Sequence, residues 1–290
     1  MLKRAWILSS IVLLAASLTA CHRQRGPRMA EPVELMTVSE LYSKGEAFLK
    51  KGRTHTARKY FEQVTLREDA GELKDKATIA IADSYFEEET VDAYSEAISR
   101  YNSFLVFHAM HPMAPYCQYR IGLCFFREMD RPDRDVTPAR SAKESFRRLI
   151  ENYPSSEYVA DAKEKSEEAD NILAAHEIYI GDFYLRSGHF KSAKARYQQV
   201  LDTYPNYWNI PLVTFRLAEA EKEDGEFEKA RVLYEKVISL NPDSQMARDA
   251  QKNIGTMGRK EAKESRRENQ KLDEPLPKMK TRHWWQFWRR

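Results

Sequence analysis

The sequence is poor in cysteine and glycine and has no marked excess of one charge. Its 290 residues include three Cys and ten Gly, with 47 Lys and Arg against 44 Asp and Glu. Three cysteines exclude a disulfide-stapled scaffold and a four-cysteine zinc site, and the balanced charge argues against a protein dedicated to nucleic acid. The chain does contain 15 Tyr and 13 Phe. Many aromatic residues beside few glycines predict an all-α fold whose helices pack through their rings.

Residues 1–20 have the composition of an export signal. A basic start is followed by the apolar run 5–16, which is shorter than the roughly 20 residues that a spanning helix needs. The ending Leu18-Thr19-Ala20-Cys21 resembles a bacterial lipobox, which implies a diacylglyceryl group and an N-acyl chain on Cys21. Several acyl chains attach a protein firmly to lipid. Because His22, and not Asp, follows Cys21, we expect the protein to be anchored at the periplasmic face of the outer membrane. The alternative for residues 1–20 is a plain secretory signal or an uncleaved anchor.

A helical repeat follows the proline-containing tether 21–37. In its clearest copies, small residues recur where two antiparallel helices cross, a glycine ends the first helix and a proline stops the second. These copies read Gly181, Tyr184, Gly188, Ala193, Tyr197 and Pro205, then Ala218, Gly225, Ala230, Tyr234 and Pro242. The pattern resembles the tetratricopeptide repeat and predicts a solenoid of five helix pairs. We place the pairs near 38–70, 75–112, 115–154, 174–205 and 211–242, with a C-terminal capping helix that completes a domain over 38–258.

Two segments lie outside the repeat pattern, the loop Asp133–Thr137 and the stretch Leu173–Glu177. Together with Tyr116-x-x-Tyr119-x-x-Gly122, the lipobox and the five repeats, they resemble the BamD family, lipoproteins of the outer-membrane β-barrel assembly machinery. The resemblance spans residues 1 to about 250. It implies that the amino-terminal repeats receive the aromatic-ending segment of an unfolded β-barrel protein, and that the carboxy-terminal repeats dock a BamA-like barrel assembly protein.

Two other classes of lipidated repeat protein are alternatives. A type IV pilus pilotin would share the signal and the repeats, but would not be expected to carry the two segments outside the repeat pattern. A coordinator of peptidoglycan synthesis with the Tol-Pal system would usually begin with a coiled coil, for which residues 22–38 are too short and too rich in proline.

Fixed offsets from the repeat glycine predict which side chains face the groove of the solenoid. In the first three pairs these side chains are largely aromatic, which suits a peptide ligand: Tyr42, Leu49, Ile79, Asp83, Phe86, Tyr116, Tyr119, Leu123 and Phe126. In the last two pairs the equivalent surface is more charged and is the candidate docking site for the assembly partner: Asp182, Arg186, Phe215, Glu219 and Lys222. Several of these rings fit equally well into the core between repeats.

No group of residues points to catalysis, so we expect a scaffold and not an enzyme. His176-Glu177 begins like a zinc-protease motif but lacks the second histidine. His108 and His111 have no third ligand nearby in sequence. We therefore expect no metal, no nucleic acid and no cofactor beyond the acyl chains on Cys21.

The basic segment 259–290 holds eleven Lys and Arg against five Asp and Glu, and near its end lie Trp284, Trp285, Phe287 and Trp288. Tryptophan beside arginine is typical of membrane interfaces, so the outer-membrane lipid is a candidate partner. The alternative is that the rings fold back on the repeats or meet a protein partner. The composition favours neither.

Overall fold

The computed structural model describes residues 35–272, and the expectations for Cys21 and for the four aromatic residues at 284–288 lie outside this part. All regular structure in the described residues is helical, which confirms the all-α prediction. The chain divides into two compact units, Met1–Arg100 and Tyr101–Arg290. None of the described helices is both long enough and apolar enough to cross a membrane.

The first unit contains α1 (Val38–Leu49), α2 (Thr54–Thr65), α3 (Glu72–Phe86) and the beginning of α4 (Val91–Phe107). Helix α1 starts at a capping box, in which Thr37 accepts from the backbone of Glu40 and the Glu40 carboxylate accepts in return. A Cβ built on Gly45 would lie 2.5 Å from the Phe61 ring. Only glycine therefore lets α1 and α2 cross this closely.

The second unit continues with seven helices, each packed against its neighbour in sequence. They are α5 (Ala114–Arg127), α6 (Thr137–Asn152), α7 (Val159–Arg186), α8 (Phe190–Thr203), α9 (Ile210–Glu223), α10 (Phe227–Leu240) and α11 (Gln245–Leu272). The close crossing recurs here, because a Cβ on Gly122 would lie 2.4 Å from the Phe146 ring. In the next pair, a Cβ on Gly181 would lie 2.6 Å from the Tyr197 ring.

Helix α7 is twice the length of a typical repeat helix and serves two neighbours. Its first half contributes Ala162 to the apolar cluster around Phe146 on α6. Its second half contributes Ala174 and Ile178 to the cluster around Tyr197 on α8. Helix α7 thereby joins the third helix pair to the fourth without a break.

Helix α11 covers the apolar end of the fifth pair. Met246, Ala250, Ile254 and Met257 pack against the cluster around Tyr234. This is the capping helix that the sequence predicts.

Candidate protein-binding surfaces

An aromatic surface runs along α5 and onto α7. Its α5 members are half-buried, so each ring or side chain keeps an edge in solvent: Tyr116, Tyr119, Leu123 and Phe126. The Tyr119 ring stacks on Tyr158, at the start of α7, with centroids 4.9 Å apart and planes 15° apart. Tyr116 lies 5.9 Å from the same ring. The α5 surface is defined as the side chains of Tyr116, Tyr119, Leu123, Phe126, Tyr158 and Lys165.

One carboxylate and one ammonium group border these rings. The Tyr119 hydroxyl donates to Asp161 in a short hydrogen bond, and burial, with this bond, raises the pKa of Tyr119. The Lys165 Nζ lies 3.2 Å from the Asp161 carboxylate and 5.3 Å from the centroid of the Phe126 ring. The α5 surface therefore offers apolar ring faces next to a cation, a combination that suits an aromatic side chain beside a negative group.

The predicted groove residues of the first unit divide into accessible and buried ones. Tyr42 and Leu49 are half-buried and pack on the core of this unit. Burial raises the pKa of Tyr42, and the negative charges of Glu46 and Asp83 raise it further.

Ile79 and Phe86 of the first unit are only 3% and 6% exposed, and Phe86 packs against Tyr94. These two side chains belong to the core as the molecule stands. A peptide would not meet them on the surface.

The fourth and fifth pairs carry an ionic network at their crossing. The Tyr197 hydroxyl donates to Asp182 Oδ1 at 2.7 Å, and Arg216 Nε lies 3.4 Å from the same oxygen. Arg216 Nη1 donates to Glu219 Oε2 at 2.8 Å. Nearby, Lys194 Nζ donates to Asp224 at 2.7 Å and to Glu221 at 3.0 Å.

The candidate docking residues therefore differ in what they offer a partner. Asp182 and Glu219 are engaged in the network, and Lys222 donates to Asn253 at 3.4 Å. Phe215 is 9% exposed and packs edge-on against Tyr234, so it is a core residue. Arg186 is exposed and makes no ion pair within the described residues.

An exposed stripe on α7 was missed by the sequence analysis. Tyr179 and Phe183 are 51% and 57% exposed, and with Arg186 they recur at a spacing of four and three residues, which places them on one helical face. Aromatic and arginine side chains are the usual anchors of protein interfaces. The sequence does contain an indication of this exposure, because Phe183 directly precedes Tyr184 and only one of two adjacent rings on a helix can face the core.

The histidines considered in the sequence analysis have packing roles. His176 Nδ1 lies 2.7 Å from the Pro132 carbonyl oxygen and so holds the loop before α6 against α7. His108 and His111 pack on the Phe104 ring. Cys117 and Cys124 are buried, and the described residues contain no group of side chains suited to hold a metal ion.

The helix pairs define a tetratricopeptide-like repeat fold. A profile of the YfiO family, described as outer membrane lipoproteins, matches residues 34–232. The chain belongs to this family.

Known proteins named as assembly factors are similar over most of the chain. The outer membrane protein assembly factor BamD of Caulobacter vibrioides is 28% identical over 232 residues, which cover 79% of this chain and 73% of that protein. BamD of Rickettsia prowazekii is 24% identical over 240 residues, covering 83% and 92%. Among solved structures, the TPR2AB-domain:pHSP90-complex of yeast Sti1 overlaps with a TM-score of 0.40 at 14% identity, covering 78% of this chain and 86% of that one.

Proposed function

We propose that this protein is an outer membrane protein assembly factor, a lipid-anchored, non-enzymatic scaffold on the periplasmic face of the outer membrane. Membership of the YfiO family carries the proposal. Cys21 holds the protein to the membrane through its acyl chains, and the folded repeats bind polypeptides without making or breaking a bond.

Unfolded β-barrel proteins are the proposed substrates, bound through an aromatic-ending segment. The α5 surface supports this assignment, because its rings can receive an aromatic side chain while Lys165 lies 5.3 Å from the Phe126 centroid, where a terminal carboxylate would be neutralised. Asp161 competes for the same ammonium group at 3.2 Å. Binding therefore exchanges the half-buried ion pair between Lys165 and Asp161 for one between Lys165 and the terminal carboxylate, beside the same Phe126 ring.

A BamA-like barrel assembly protein is the proposed partner of the fourth and fifth pairs. Its docking site includes the exposed α7 stripe of Tyr179, Phe183 and Arg186, together with Asp182 of the ionic network, which lies three residues after Tyr179 on the same helix. An arginine and two rings on one helical face supply the anchor, and the paired charges around them supply orientation more than affinity.

A peptide-binding experiment tests the substrate assignment directly. A labelled peptide that ends in Phe with a free carboxylate is titrated into the full chain carrying Lys165→Gln. We expect the substitution to weaken binding about fivefold. A peptide whose terminal carboxylate is amidated should bind the variant and the unmodified chain equally.

Lys163→Gln is the matched control, since Lys163 is an exposed cation one half-turn away on the same helix. It should leave binding unchanged. Equal binding of both peptides by the Lys165→Gln variant and the unmodified chain would remove Lys165 from the site.

A further inference from the structure

The fourth and fifth helix pairs each bury a tyrosine at their crossing, but among the described residues only the first of the two hydroxyl groups has an acceptor. Tyr197 and Tyr234 are both completely buried, and each follows, by 15 residues, an acid on the first helix of its pair. In the fourth pair this acid is Asp182, which accepts from Tyr197 at 2.7 Å. In the fifth pair it is Glu219, and the Tyr234 hydroxyl finds no acceptor within the described part of the chain. The two equivalent acids are therefore used differently.

Glu219 is engaged by an arginine instead of the tyrosine. It accepts from Arg216 Nη1 at 2.8 Å, three residues earlier on α9. Burial raises the pKa of Tyr234 most, and the negative charge of Glu219 raises it further, while Asn253 lowers it as a hydrogen-bond donor. The Asn253 oxygen accepts from Lys222, at 3.4 Å, and not from Tyr234. Because a buried hydroxyl without an acceptor is unfavourable, the fifth pair leaves one favourable hydrogen bond unmade.

Arg216 is a half-exposed cation whose ion pairs are open to water. Its side chain is 36% exposed and that of Glu219 is 24% exposed. Arg216 Nε lies 3.4 Å from Asp182 Oδ1, but it donates no hydrogen bond to any of the described residues. An ion pair that stays in contact with water contributes little to stability. Arg216 can therefore exchange the Glu219 carboxylate for another one at a small loss.

We propose that Arg216 receives a carboxylate from the docking polypeptide, and that Glu219 occupies this place until docking occurs. When the incoming acid binds Arg216, Glu219 turns to the Tyr234 hydroxyl and accepts from it, as the equivalent acid does in the fourth pair. The hydrogen bond made inside the fifth pair offsets the ion pair that is lost. Because this step rests on the proposed docking of a barrel assembly protein to the fourth and fifth pairs, the carboxylate belongs to an Asp or Glu side chain of that partner.

The stability of the free chain tests whether the Tyr234 hydroxyl lacks an acceptor. Tyr234→Phe removes only this oxygen, so we expect the urea midpoint of the full chain to stay the same or to rise slightly. Tyr197→Phe is the matched control, because it removes a hydroxyl that does have an acceptor, and its midpoint should fall. Equal falls in the two variants would show that Tyr234 already has an acceptor, and would overturn the proposal.

Binding of the partner tests the role of Arg216. The probe is the periplasmic region of the BamA-like protein that is recovered with the tagged chain. Arg216→Gln should weaken its binding at least about tenfold, and Arg216→Lys, which keeps the cation, should weaken it less. Arg248→Gln removes an exposed arginine of α11 and is the control of equal charge, which should leave the affinity unchanged. The urea midpoint of each variant shows whether it is folded.

The turning of Glu219 has a separate signature in the same binding assay. Tyr234→Phe keeps Arg216 but removes the donor that Glu219 would find after docking, so it should weaken binding about threefold although the free chain is no less stable. A variant that is equally stable and binds the partner less well is not expected from a structural role alone. Unchanged affinity of Tyr234→Phe would overturn the turning of Glu219.

Negative results for Arg216 and for docking itself can be told apart. If the probe binds the unmodified chain and the Arg216→Gln variant equally, docking stands and the role of Arg216 is overturned. If the probe does not bind the unmodified chain, the proposed docking is wrong and the role of Arg216 falls with it.

Discussion

The third and fourth helix pairs share one packing geometry and differ in the surface beside it. In both pairs a glycine on the first helix meets an aromatic ring on the second, Gly122 against Phe146 and Gly181 against Tyr197. The rings are completely buried in both. The crossing is therefore the same, and the difference arises from one hydroxyl group and from the residue that follows the glycine.

In the third pair the residue after the glycine is Leu123, and Phe146 is surrounded by rings, with Tyr119 and Phe126 at centroid distances of 6.2 Å and 6.3 Å. In the fourth pair the equivalent residue is Asp182, which accepts from the Tyr197 hydroxyl. Most buried hydroxyl groups have a hydrogen-bond partner, and Asp182 is the acceptor for Tyr197. That acid in turn attracts Arg216. At these two crossings the ring with a hydroxyl group stands beside an acid, and the ring without one stands beside other rings.

The largest effect should come from filling either crossing. Gly122→Val and Gly181→Val each place side-chain atoms inside the facing ring, so we expect a loss of about 1–3 kcal/mol in the free energy of unfolding, measured by urea denaturation.

Gly255→Ala is the control for both crossings, because a Cβ at Gly255 meets nothing within 4 Å. It should leave stability unchanged or slightly higher. Tolerance of valine at only one crossing would show that the two pairs do not share the geometry.

A smaller effect should follow from exchanging the hydroxyl. Tyr197→Phe leaves Asp182 without its donor and should cost about 1 kcal/mol of unfolding free energy. The converse change, Phe146→Tyr, should also destabilise, since Leu123 offers no acceptor. Adding Leu123→Asp to Phe146→Tyr should recover part of that loss of unfolding free energy. If the loss in the double variant equals the sum of the two single losses, the hydroxyl and the acid do not pair.

The hydroxyl of Tyr119 lies on the surface and should matter less. Tyr119→Phe keeps the stack on Tyr158 and removes only the hydrogen bond to the half-exposed Asp161, so we expect a loss of about 0.5 kcal/mol in thermal unfolding. Tyr119→Ala also removes the stack and should lower stability further. Equal stability of the two variants would mean that the ring contributes nothing.

The smallest effect concerns a surface carboxylate of the third pair. Hydrogen bonds from Arg147 and Arg148 lower the pKa of Glu144 from its ordinary 4.5 to about 2. A lowered pKa adds stability that is present above pH 4.5 and is lost as the pH falls towards 2. Glu144→Gln should therefore lower Tm slightly at pH 6, and the difference should vanish near pH 2. If the difference in Tm between the variant and the unmodified chain stays constant from pH 6 to pH 2, the effect comes from lost packing and not from the charge of Glu144.

The helical fold was predictable because packing requires small residues where helices cross. Gly181 and Tyr197 mark such a crossing at a fixed spacing, and the same spacing identifies the fifth pair. Burial at the candidate site was less predictable. The offsets that point to Ile79, Phe86 and Phe215 do not say how far neighbouring elements cover that face, and these three side chains are in the core.

The features that the sequence analysis missed depend on tertiary contacts. The fourth helix pair was expected to begin near residue 174, but its first helix, α7, already begins at Val159. This early start places Lys165 beside the Phe126 ring. Tyr179 and Phe183 were overlooked because the repeat pattern reads aromatic residues as core, while α7 leaves both exposed. The groove and docking residues stay predictions until binding is measured.

Affinity purification from outer membranes tests the central claim most directly. The tagged protein is isolated in mild detergent and its partners are identified by mass spectrometry, with Cys21→Ala as the control for anchoring. We expect recovery of a BamA-like protein in near-stoichiometric amount, and less of it with the Cys21→Ala control. Recovery of a pilus secretin or of peptidoglycan-synthesis proteins, without any barrel assembly protein, would contradict it.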